Sequence, residues 1–209
     1  MLFPIGIQSF SEIRENGYVY VDKTGKMYKL VSEGKYYFLS RPRRFGKSLL
    51  VSTLKAYFEG RKELFDGLAV SNLEKDWKQY PVLHLDLNSK KYDSIAALDK
   101  ILNDHLEQWE SLYGDEKRSR DPEDRFSYVI RQAKAKTGRN VVILVDEYDK
   151  SMLQAIGNED LQEEFRGRLN PFYGALKSCD EYIKFALLTG VTKFGKVSVF
   201  SDLNNLYDI

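Results

Sequence analysis

The sequence has little cysteine, little net charge and no long apolar run. One cysteine, Cys179, stands in 209 residues. A disulfide framework within the chain is excluded, which fits a reducing compartment and makes the cytoplasm the expected location. The two histidines, His84 and His105, are far in sequence from Cys179, and no Cys/His grouping has metal-ligand spacing. His84 alternates with apolar residues and reads as an interior strand group, His105 as a helix-face residue. Lysine and arginine number 32 against 31 aspartates and glutamates, a net charge of +1. Nucleic-acid affinity would therefore need a local patch. No stretch approaches the roughly 18 apolar residues of a membrane span. The opening "MLFPIGIQSF" has neither the basic start nor the apolar run of a signal peptide. A soluble chain without a membrane partner is expected. With 43% hydrophobic and 30% charged residues, it has the composition of one globular domain, or one domain with a small appendage.

What is present alternates between two periodicities. "YVYVDKT" (18–24) alternates aromatic and β-branched residues and reads as a short strand. Residues 26–34 place Met27, Leu30 and Val31 on one helical face and stop at Gly34. "YYFLS" (36–40) is too short for a buried helix and reads as a buried strand. "KSLLVSTLKAYF" (47–58) returns to helical spacing through Leu49, Leu50, Thr53, Leu54 and Tyr57. "PVLHLDL" (81–87) is a strand, and 94–113 an amphipathic helix through Ile95, Leu98, Leu102, Leu106 and Trp109. The polar run 113–125 reads as a loop. A helix is entered at Asp121-Pro122. "VVILVDE" (141–147) is the most continuously apolar strand. Residues 159–178 read as a helix interrupted near Asn170-Pro171, because proline cannot donate to the ladder. "IKFALLTG" (183–190) is a fourth core strand.

Strands alternating with helices, and apolar on both faces, belong to a parallel sheet covered by two helical layers. The expected fold is α/β: a three-layer α/β/α core with a mainly parallel sheet over 36–209, preceded by a strand/helix extension over 1–35. The strand 36–40 is expected at its centre. The ending "FSDLNNLYDI" follows the fourth strand closely and reads as a truncation. A missing fifth strand would leave an open edge near residues 36–40, a surface for self-association into a homo-oligomer.

Three places can carry chemistry. "SRPRRFGKSLL" (40–50) lies between a strand and a helix. Its Gly46, Lys47 and Ser48 match the end of a phosphate-binding loop. There, backbone N–H groups and the helix dipole face phosphates, the lysine reaches the β- and γ-phosphates, and the hydroxyl meets Mg2+. Phe45 and Leu49 flank that cradle. The first glycine of the usual pattern is replaced by Arg41. Arg41, Arg43 and Arg44 either lay their guanidinium forks on phosphate oxygens or form a solvated basic loop shaped by Pro42. Next, Asp146 and Glu147 end an apolar strand about a hundred residues downstream. That is where an ATPase needs one carboxylate for Mg2+ and a second to polarise water. Asp149 either joins them or, as favoured, caps the next helix. Last, Thr189 ends the fourth strand. It either contacts the γ-phosphate or its water, or simply forms a turn with Gly190. No base-reading N-K-x-D element occurs, which favours adenine over guanine.

"FPIGIQSFSEIRENGYVYVDKT", "YYFLSRPRRFGKSLLVSTLKAYFEG", "ELFDGL", "VVILVDEYD" and "LLTGV" together resemble the bacterial AAA-ATPase-like family across nearly the whole chain. The resemblance implies a P-loop NTPase with an additional strand, related to AAA+ and STAND ATPases. In it, Arg41 is the family's own way of writing the loop. It places Lys47 and Ser48 on phosphates and Mg2+, and Asp146 with Glu147 on Mg2+ and water. It brings Asp22 or Lys23 toward the base or ribose. Longer members resemble fusions to a C-terminal nuclease-like domain of the PD-(D/E)XK type, which here would lie beyond residue 209. The expected activity is hydrolysis of Mg2+-ATP to drive or gate an effector. A further cation would come from a neighbouring subunit, from chain beyond 209, or in cis from Lys193 or Lys196. Two other readings remain open: a nucleotide-gated module with negligible turnover, and a nucleic-acid-associated regulator using the basic loop.

Overall fold

A computed structural model describes residues 2–88, 91–116, 120–192 and 206–209. Five strands form one all-parallel sheet in the order β2-β3-β4-β1-β5. They are β1 (Tyr36–Ser40), β2 (Val82–Asp86), β3 (Val141–Asp146), β4 (Ile183–Gly190) and β5 (Tyr207–Asp208). Parallel neighbours need crossovers, and helices supply them. One face carries α1 (Phe10–Glu15), α2 (Thr24–Glu33), α3 (Lys47–Phe58) and α4 (Ala69–Leu73). The other carries α5 (Ile95–Tyr113), α6 (Pro122–Thr137), α7 (Lys150–Gln154) and α8 (Glu159–Ser178). The expected three-layer α/β/α core is what the chain forms.

The two faces are written into alternate strand residues. Tyr36, Phe38, Ile143, Val145, Ala186 and Leu188 pack under α5, α6 and α8. Tyr37, Val142, Leu144, Phe185 and Leu187 pack under α2 and α3. Every residue of β3 is buried, which explains its unbroken apolar run. Helix ends follow local chemistry. Ser94 Oγ accepts from Ala97 N at 3.3 Å, Asn158 Oδ1 accepts from Leu161 N at 3.1 Å, and Gly138 closes α6 at φ 69°.

Four expectations are corrected. Residues 18–24 do not form a strand. They run extended with one bridge, Leu2 to Tyr18, because no partner strand lies alongside. Asp22 ends that run. Its carboxylate accepts from Thr24 N at 2.8 Å, Thr24 Oγ1 at 2.7 Å and Ala69 N at 2.7 Å. Second, the middle strand is β4, with β1 beside it. Third, α8 runs through Pro171 unbroken. Buried Phe165, Leu169, Phe172, Tyr173 and Leu176 hold both halves against the core, outweighing the roughly 3 kcal/mol an interior proline costs. Fourth, the sheet has its fifth strand. Tyr37 and Phe38 pair with Tyr207 and Asp208, and Ile209 N donates to Phe38 O at 3.0 Å. The edge beside β1 is therefore occupied.

The segment before β1 contributes Phe10, Met27 and Val31 to the core. Phe10 is fully buried, and its N–H donates to Ser52 Oγ on α3 at 2.8 Å. Arg14 donates to Leu64 O and Asp66 O at 2.7 and 2.6 Å. No helix among the described residues is long and apolar enough to cross a membrane.

Candidate active site

In-register pairing lines up the carboxyl ends of four strands. Ser40 pairs with Gly190, and Asp86 with Asp146. Ligands of open α/β sheets bind beyond such an edge. A cleft of about 870 Å³ opens there, between the loop 41–46 and the turn after β3. Residues 5–8 form a further wall. A separate cleft of about 680 Å³ lies by the start of β1, against α2 and Tyr207. It borders the opposite edge of the sheet and contains none of the candidate residues.

The loop side is built around its lysine. Arg41 N donates to Gly190 O at 3.1 Å, extending the β1–β4 ladder by one residue. The chain then turns with Arg44 at φ 67° and Gly46 at φ 78°. Glycine meets the second value freely; arginine holds the first under strain. Lys47 opens α3, and its buried Nζ donates to Arg41 O at 3.0 Å and Pro42 O at 3.3 Å. No side chain caps α3, so its first N–H groups have no protein acceptor within the helix. Arg43, Arg44, Gly46, Lys47, Ser48 and Leu49 line the cleft. Arg41 and Phe45 do not. They line an adjoining apolar cleft of about 580 Å³, with Phe3, Tyr20 and Leu50, which shares Gly46 and Leu49 with the first.

The carboxylate side is held by β4. Glu147 reaches the cleft from a left-handed φ of 54°. Its N–H donates to Thr189 Oγ1 at 3.3 Å, and Tyr148 N to Thr189 O at 2.9 Å. The Thr189 hydroxyl donates to Asp146 Oδ1. Thr189 is fully buried. Its hydroxyl is thus engaged by the two carboxylate residues, and Thr189 is not among the residues that line the cleft. Asp149 stands at the start of α7 but leaves it uncapped. Its Oδ2 instead accepts from Val191 N at 2.9 Å, Thr192 N at 2.7 Å and Thr192 Oγ1 at 2.9 Å. Gly190 makes this closeness sterically feasible: a Cβ there would lie 2.3 Å from the Tyr148 ring.

Other expectations resolve outside the cleft. Asp22 is engaged by Thr24 and Ala69, and Lys23 borders the apolar cleft. Burial, then Lys55, pushes the His84 imidazole below its ordinary pKa, which suits an interior group. His105 Nε2 meets Asp86 O at 3.2 Å. Lys193 and Lys196 lie outside the described residues. Besides residues 5–8, two polar lining residues escaped the sequence reading: Asn88, just past β2, and Lys150, the first residue of α7. Their one signal was position, each following a strand end that carries a carboxylate. The cleft lining thus gathers Arg43, Arg44, Lys47 and Lys150 against a single carboxylate, Glu147. Such an excess of cations around an uncapped helix start suits a polyphosphate.

The chain is 44% identical, over 208 residues, to a protein of Azotobacter chroococcum mcd 1 named "Uncharacterized protein in vnfD 5'region". The alignment covers 99% of this chain and 40% of that relative, so the chain spans about two fifths of the relative's length. Residues 4–200 match the AAA-ATPase-like family, described as "Predicted AAA-ATPase". The chain belongs to that family.

Proposed function

We propose that the 870 Å³ cleft binds Mg2+-ATP and hydrolyses it. The observation that carries this reading is the opposition of Lys47 at the uncapped start of α3 to Glu147, presented from a strained backbone into the same cleft. In the reaction, a water oxygen bonds to the γ-phosphorus and the bond to the bridging oxygen breaks. ADP leaves, and Glu147 takes the water's proton and later returns it to solvent. The γ-phosphoryl group becomes inorganic phosphate. Lys47, Arg43 and Arg44 offset charge on the phosphate oxygens, where preorganised cations act most strongly. Thr189 acts as a positioning residue for Asp146 and Glu147. The apolar cleft, with Tyr20 and Phe45, receives the base, and Arg41 borders it.

The residues fit a magnesium ion. Among the described residues no group of three or more His, Cys, Asp or Glu side chains is placed to hold a metal unaided. Mg2+ does not need one, since it keeps waters and takes one or two protein oxygens beside phosphate. Ser48, in the cleft lining, would hold it directly, and Asp146, buried behind that lining with Oδ1 taken by Thr189, would hold it through one of those waters; when bound it would neutralise phosphate charge. The relative extends well past the matched region. That supports a role for this ATPase unit in driving or gating an effector elsewhere in a longer protein.

Calorimetric titration of Mg2+-ATP into the wild-type chain and into Lys47→Ala tests the reading. Binding by the wild type, lost in Lys47→Ala, is expected. Glu147→Gln should keep binding and lower turnover by at least about a hundredfold, the scale of a general base. Equal titrations of wild type and Lys47→Ala would overturn the proposal. Binding without turnover in the wild type would leave a nucleotide-gated switch in its place.

A further inference from the structure

Lys150 has no task in the reaction as written, yet its ammonium faces the cleft. It stands 4.0 Å from Glu147 Oε2, with both side chains only 16% exposed. It also donates to both the main-chain oxygen and Oδ1 of Asn88. Asn88 is itself fixed, its N–H donating to Asp86 Oδ1 at 2.7 Å. An ammonium has three donors. Two are taken by Asn88 and the third is left toward Glu147. Among the described residues, Lys150 is the only cation within ion-pair distance of the Glu147 carboxylate. The backbone of Glu147 is fixed by φ 54° and by Thr189, but its side chain has three further rotors. A carboxylate that must meet one proton of one water needs those rotors restrained.

We propose that Lys150, anchored by Asn88, is the positioning residue of Glu147. The cation that steers the water-activating carboxylate is then supplied in cis, from α7 and the end of β2. The inference rests on the ATPase reading above, and its arms separate the two. Lys150 is not assigned a phosphate contact; that work falls to Lys47 and the loop arginines.

The test uses the whole chain with Lys150→Met, Lys150→Arg and Asn88→Ala. For Lys150→Met, kcat should fall roughly tenfold or more while KM for Mg2+-ATP stays within about threefold, since only the transition state needs the oriented carboxylate. Lys150→Arg should restore part of kcat. Lys150→Met should add no loss to Glu147→Gln, because residues acting as a unit are not additive. A second readout needs no nucleotide. The ¹⁵N resonance of the Lys150 ammonium should move in Glu147→Gln and in Asn88→Ala. If Lys150→Met does not fold, the Asn88→Ala kinetics and this resonance decide the matter. An unchanged kcat, a raised KM at constant kcat, full additivity with Glu147→Gln or an unmoved resonance would each overturn the inference. A wild type that neither binds nor hydrolyses ATP, but shows the moving resonance, would sink the ATPase reading and leave the Lys150–Glu147 coupling in place.

Discussion

Replacing Thr189 with valine changes one atom's chemistry and little volume. In the folded protein the lost hydroxyl served two partners: it donated to Asp146 Oδ1 and accepted from Glu147 N. Thr189 is fully buried and Asp146 is 4% exposed, so solvent cannot fully replace either bond. A hydrogen bond to a charged acceptor contributes about 1.5–3 kcal/mol and an ordinary one about 0.5–1.5. Together the loss is about 2–4.5 kcal/mol. For a chain of this size each kcal/mol shifts the melting temperature by about 2–4 °C, so Thr189→Val should melt about 4–18 °C lower. Thr189→Ser keeps the oxygen and deletes a methyl, costing about 1 kcal/mol. Thermal unfolding followed by circular dichroism, with kcat and KM on the same samples, reads both effects. Valine should lower kcat, because both carboxylate residues lose their brace, and serine should hold it. The ratio of ATP to ADP affinity should stay constant in valine if the hydroxyl serves only Asp146 and Glu147. A valine variant melting within 1 °C of the wild type, or a serine variant as damaged as valine, would refute the brace.

Two further outcomes follow from the fold. Pro171→Ala should raise the urea midpoint, by about 1–3 kcal/mol in stability, because the ring sits inside a continuous α8 and removes a ladder donor; a lower midpoint would mean that the ring itself packs. Asp22→Asn tests the acid limb of stability. Burial pushes the Asp22 carboxyl up, but hydrogen bonds from Thr24 and Ala69 outweigh it and the net shift is downward. A folded pKa below the unfolded value, about 3.9, gives stability that is present above that value and lost as pH falls through the folded one. The asparagine variant should therefore lose less stability than the wild type between pH 5 and pH 2, as measured by denaturant midpoints. Parallel curves would contradict this.

Those parts of the fold governed by local pattern were legible in the sequence. The strands at 36–40 and 183–190 and the helix at 47–58 were bounded by glycine, proline or a change of period, and they formed as read. The parallel, double-covered sheet followed from β3 being apolar at every position from Val141 to Val145. Strand order was not legible, because β4 displaces β1 from the centre through pairing between residues about 150 apart in sequence. No break forms at Pro171 because the buried aromatics on both sides outweigh the local propensity that predicts one. Residues 18–24 carried a strand's alternation without a strand's partner. In the site, Lys47, Ser48 and Glu147 were visible because a motif fixes their spacing, and the structure brings them to one cleft. Lys150 and Asn88 were not, since their link spans 62 positions and belongs to no motif. Thr189 was found for its place at a strand end, while the direction of its hydroxyl depended on β3 lying alongside.

The turn after β3 and the exit of β4 are fastened at Thr189, Val191 and Thr192 through Glu147, Tyr148 and Asp149. So bound, they should respond to force as one stiff block, with Gly190 as its seam. The opposite wall, where three exposed arginines surround a lysine that holds only main-chain oxygens, is the compliant one. Closure on a nucleotide would therefore be asymmetric, the loop travelling toward a carboxylate that stays still. Any residual displacement of Glu147 would not dissipate locally. It would be carried across Asp149 into Thr192, turning a chemical event at the end of one strand into a mechanical one at the end of its neighbour.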